Sequence, residues 1–133
     1  MAHQGGCFCG KVRYRAEGEP SHVVHCHCTM CRRASGAPFV TWATFPAAAF
    51  AWTKGAPRVL VSSPPAERRF CADCGTALTF QHADLGHEID VTAASFDRPE
   101  AVEPGGHIWT RSRLPWIALD DGLPQHAEFT PED

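Results

Sequence analysis

Apolar residues along this chain come in short runs, and Gly, Pro or a charged position interrupts nearly every one. Segments 12–15, 21–25, 39–42, 58–61, 68–70, 77–80, 88–92 and 108–110 are too short for helices and read as strands. Helix signals are scarce. The run 46–50, PAAAF, can make one turn after its proline, and 29–35, TMCRRAS, another with Thr29 near its N-cap. Segment 107–124 is rich in aromatics and prolines but follows no clean period. The pattern predicts a mainly β fold of short strands in antiparallel sheets. It also places Cys31 in a helical turn, with Cys26 and Cys28 at a strand end.

Length and composition agree with that picture. The 133 residues suit one domain, expected to span 1–125, followed by a polar C-terminal tail at 126–133. Eleven Gly and eleven Pro fit a fold with many turns. The formal net charge of -3 argues against nucleic acid, and metal-bound thiolates would leave the chain more acidic still. Basic residues pair only locally, at Arg32/Arg33, Arg68/Arg69 and Arg111/Arg113. The first ten residues lack the charged start and apolar run of a secretory signal, and no apolar stretch is long enough for a membrane span. A cytoplasmic, reducing setting is therefore expected.

In such a setting clustered cysteines point to metal. Seven cysteines fall into three groups: Cys7/Cys9 in GGCFCGKV, Cys26/Cys28/Cys31 in HCHCTMCRR, and Cys71/Cys74 in FCADCGTAL. An odd number and a CxC spacing suit disulfides poorly. Gly10 and Gly75 directly follow the outer pairs, as needed where the chain turns tightly beneath two sulfurs. Cys7, Cys9, Cys71 and Cys74 are thus expected to close a tetrahedral structural site that staples distant parts of the chain. The triplet offers three thiolates, the ligand number of a catalytic metal with one open position; His25 or His27 could instead close it. Sulfur ligands alone also admit iron or copper, but the spacings favour zinc, two ions per chain.

Other side chains are weighed against plainer roles. Most histidines and aromatics are expected on the surface or in the core. His25, His27 and His107 are retained as candidate proton donors. Arg32 and Arg33, beside the triplet, are candidates to hold a substrate carboxylate.

Taken in order, GGCFCGKVRY, HCHCTMCRRASGAPFVTW, FCADCGTALTF, DVTAASFDRPE and HIWTRSRLPW resemble the glutathione-dependent formaldehyde-activating enzyme family, which includes centromere protein V-like domains. The resemblance covers nearly the whole chain. It implies a β-tent type fold, a structural zinc on Cys7, Cys9, Cys71 and Cys74, and a second, catalytic zinc on Cys26, Cys28 and Cys31. It also implies a carbon–sulfur lyase-type activity: condensation of glutathione, or a related thiol, with formaldehyde or another small aldehyde to give S-hydroxymethylglutathione or its analogue. Two other readings are a zinc-bound glutathione carrier without turnover and a non-catalytic zinc interaction module. The latter would be favoured by a long basic tail, which this sequence lacks.

Overall fold

Side-chain alternation sorts the chain into two sheets in the computed structural model, which describes residues 1–82 and 86–131. The smaller sheet joins β1 (Ala2–Gly6), β2 (Arg13–Glu17) and β5 (Phe50–Lys54) in the antiparallel order β1-β2-β5. The larger contains β3 (His22–Cys26), β4 (Val40–Pro46), β6 (Arg58–Ser63), β7 (Ala66–Phe70), β8 (Ala77–His82), β9 (Glu88–Thr92) and β10 (Gly106–Ile108). Its order is β10-β3-β4-β9-β8-β7-β6. All its pairs are antiparallel except β10 with β3. The parallel pair follows from a long crossover through short turns at Ala93–Ser95 and Pro99–Ala101, which brings the chain back beside β3 in the same direction.

Each expected strand segment overlaps an observed strand, while β1 and β5 carried no legible signal. The reason for β1 lies in Gly5: a Cβ there would stand 2.4 Å from both the Tyr14 hydroxyl and the Ser95 carbonyl oxygen. Close packing thus selects the residue type that makes the segment read as a loop. At the other end of the chain, the strand expected at 108–110 stops at Ile108 because Trp109 adopts a left-handed conformation, φ 56° and ψ 37°.

In the larger sheet β4 is buried on both faces, whereas the edge strand β6 is exposed. Along β4, Ala43 and Phe45 face the smaller sheet and pack with Tyr14, Ala16, Leu78, Val91 and Phe96 in the main core. Val40 and Trp42 face the other way and pack with Cys26 and Cys31. Double-sided burial explains the nearly uninterrupted apolar run in the sequence of β4. The second face also receives α1 (Thr29–Ser35), the helix expected from TMCRRAS, but its N-cap is Cys28 rather than Thr29.

The polar stretch after Pro124 is not a free tail within the described residues. Gln125 bridges His107, the His126 amide donates to the His107 carbonyl at 2.9 Å, and the Trp109 amide donates to that of Glu128 at 2.9 Å. Its side chains stay polar because its backbone makes the contact. Phe129 then sets its ring edge-on against Trp109, with centroids 5.3 Å apart.

Candidate metal centres

Two tight turns meet at one end of the fold. In the first, the Cys7 amide donates to the Val12 carbonyl and the Gly10 amide to that of Cys7; in the second, the Cys71 amide donates to Thr76 and the Gly75 amide to Cys71. Gly10 and Gly75 have φ of 79° and 82°, where a Cβ would be strained. The turns bring the four sulfurs of Cys7, Cys9, Cys71 and Cys74 within 4.8 Å of one another. Cys9 Sγ lies 3.6 Å from Cys7 Sγ and 3.7 Å from Cys71 Sγ. The Val12 amide donates to Cys7 Sγ at 3.3 Å, and Lys11 pairs with Asp73 across the two turns. Four convergent sulfurs with an N–H donor aimed at one of them form a set that can hold a tetrahedral metal ion with no open position.

The triplet forms where β3 runs into α1. Cys26 ends the strand, Cys28 caps the helix by accepting from the Cys31 amide at 3.2 Å, and Cys31 sits in the first turn. Their sulfurs also lie within 4.8 Å of one another. Cys31 Sγ is 3.4 Å from Cys26 Sγ and accepts from Trp42 Nε1 at 3.4 Å. Hydrogen bonds from Cys26 and Cys31 lower the Cys28 thiol to about 2, while those same contacts push Cys26 upward. Cys26 and Cys31 are buried, whereas Cys28 is partly exposed.

Cys28 opens into a cleft of about 540 Å³. Trp42, Phe80 and Trp109 supply apolar wall, and Arg68, Glu88 and Asp90 supply charge. Strand register aligns two of these: Arg68 stands opposite Phe80 on β7–β8, and Phe80 opposite Asp90 on β8–β9. The Arg68 guanidinium carbon lies 4.8 Å from the centre of the Phe80 ring. Asp90 Oδ1 accepts from the Thr44 hydroxyl at 2.6 Å, and burial pushes its carboxyl above the usual range despite that bond.

Several expected site residues lie elsewhere. Arg32 and Arg33 occupy the last turn of α1, and neither lines the cleft. His25, His27 and His107 gather behind β3: strand alternation sends Cys26 toward the cleft and the neighbouring histidines to the opposite face. There His27 Nε2 meets His107 Nδ1 at 2.9 Å, and His107 Nε2 meets Asp121 at 2.7 Å. None of the three lines the cleft, so neither His25 nor His27 is placed to close the triplet site. Burial lowers His27 to about 4 and holds His25 below its ordinary value. Arg68 and Asp90 were missed because only the register of β7, β8 and β9 reveals that they share a face.

The sequence profile described as "Glutathione-dependent formaldehyde-activating enzyme" matches residues 2–112, a span containing both cysteine clusters. The chain belongs to this family. A similar protein from Schizosaccharomyces pombe, named an uncharacterized lyase, is 29% identical over 100 residues, covering 75% of this chain and 72% of that relative. The crystal structure of a Rhodobacter sphaeroides protein shares the fold, with a TM-score of 0.59 at 21% identity over 92% of this chain and 98% of the other. Family membership and the lyase-named relative support a lyase-like function of the formaldehyde-activating type.

Proposed function

We propose that this chain is a two-zinc, carbon–sulfur lyase-type enzyme that joins the thiol of glutathione, or a related thiol, to formaldehyde or a small aldehyde. One observation carries the reading. The three sulfurs of Cys26, Cys28 and Cys31, with Cys28 partly exposed, meet a cleft that also holds Arg68, Glu88 and Asp90, whereas the four-sulfur cluster is complete in itself. Cys7, Cys9, Cys71 and Cys74 would hold the structural ion, and Cys26, Cys28 and Cys31 the reactive one. When bound to the triplet, zinc would lower the pKa of a substrate thiol and act as a Lewis acid.

The chain's own residues do the rest. Arg68, its plane steadied over Phe80, receives a carboxylate of the thiol substrate. Trp42, Phe80 and Trp109 exclude water along the wall, which strengthens that ion pair. As the carbon–sulfur bond forms, the thiol proton must reach the former carbonyl oxygen. Asp90 is the cleft carboxyl held toward its protonated form, so it can deliver that proton and be recharged by the one the thiol releases. The reverse path splits the adduct into thiol and aldehyde. No described helix is long and apolar enough to cross a membrane, and free thiols at all seven cysteines fit a reducing cytoplasm.

The test is the rate of hemithioacetal formation from glutathione and formaldehyde above the uncatalysed reaction. A rate excess that disappears in Cys28→Ser supports the enzyme. Glutathione binding at the triplet with no rate excess would replace it with the carrier. No glutathione binding at any concentration would remove the thiol assignment and leave the non-catalytic module.

A further inference from the structure

Behind β3, away from the sulfurs, three side chains converge that the cleft does not use. The parallel register sets His107 beside His25, with ring centroids 4.8 Å apart and planes tilted by 33°. A turn carries Asp121 to the same place. One donor atom from each of His25, His107 and Asp121 lies within 4.8 Å of the others.

Both rings are held by their Nδ1 atoms. His25 Nδ1 meets the Thr41 hydroxyl at 2.8 Å, and His107 Nδ1 meets His27 Nε2 at 2.9 Å. Nε2 is therefore the nitrogen each ring has left to offer, and that of His107 already faces Asp121 Oδ2 at 2.7 Å. Anchoring a ring at one nitrogen so that the other points inward is how proteins orient metal-ligating histidines. The cluster is reachable, because His25 is only half-buried and the Asp121 side chain is 41% exposed.

We propose that His25, His107 and Asp121 form a third metal site, one that takes a divalent transition ion of intermediate softness such as Zn²⁺, Co²⁺ or Ni²⁺. Two imidazoles and a carboxylate suit these ions better than Mg²⁺ or Ca²⁺, which prefer oxygen. Tetrahedral zinc separates its ligand atoms by about 3.3 Å. The His107–Asp121 pair opens slightly from 2.7 Å and His25 closes in, both within the reach of partly exposed side chains. The ion takes the Nε2 lone pair of His107, which then carries its proton on Nδ1 and donates to His27. With three protein ligands the site keeps water positions, and it binds more weakly and exchanges faster than the sulfur sites. Its occupancy fastens Asp121 to β10, and with it the segment that carries Phe129 against Trp109.

The test uses untagged, full-length protein carrying its tightly held metals, titrated with Co²⁺ and followed by calorimetry and visible absorption. One further equivalent should bind, with weak ligand-field bands and no new thiolate-to-metal absorption. His25→Ala and Asp121→Asn should each lose that equivalent while keeping the tightly held metal content of the wild type. Thr41→Val, which removes only the anchor of the His25 ring, should weaken binding about 10-fold. Absence of a third equivalent in the wild type overturns the site. So does uptake that is unchanged in His25→Ala and Asp121→Asn, or unaffected by Thr41→Val.

Discussion

Arg68 and Asp90 owe their placement to strand alternation, and each makes a distinct prediction. Arg68→Ala should weaken glutathione binding by about 1–3 kcal/mol, read by calorimetry, if a substrate carboxylate meets the guanidinium. Arg68→Lys should recover only part of it, since an ammonium lacks the planar fork that stacks on Phe80. Burial raises the Asp90 carboxyl in the folded chain above its ordinary 3.8. Its stabilising contribution is thus present in acid and is lost as pH rises through the raised folded value, above which a buried anion is left. Asp90→Asn keeps an oxygen for Thr44 and cannot form that anion. It should raise the melting temperature at pH values above that titration, change it less near pH 4, and lower the catalysed rate about 100-fold. An unchanged rate would remove Asp90 from proton transfer.

The cysteine clusters were legible because spacing and glycine placement are local properties. Gly10 and Gly75 mark left-handed turns wherever the rest of the chain goes. The direction of a side chain across a sheet is not local, so nothing in the sequence joined Arg68 and Asp90 to the triplet's cleft, or His27 to His107. The missed strand β1 has the same kind of cause, since Gly5 is set by contact with residues far along the chain. Gly5→Ala forces a Cβ onto Tyr14 and the Ser95 carbonyl and should cost about 3 kcal/mol in denaturant unfolding. The two clusters should also differ in what their loss does. Cys74→Ser removes a ligand that joins turns far apart in sequence and should give unstable or insoluble protein. Cys28→Ser should stay folded and lose mainly the triplet metal, because β3 and α1 are also held by Trp42 and Val40. Equal collapse of both would make the triplet structural as well.

For the whole molecule, the fold creates two sulfur clusters of opposite character that could hold metal ions: four sulfurs converge between two tight turns, and three line a cleft. That division into four sulfurs and three is the central claim. It is tested most directly by X-ray absorption at the zinc edge on protein purified without added metal, together with its metal content. The division predicts close to two zinc equivalents, one with four sulfur neighbours and one with three sulfurs and a lighter atom. Glutathione should replace that lighter atom with a fourth sulfur. One equivalent, predominantly iron, or a full four-sulfur environment at both ions before any thiol is added would contradict it.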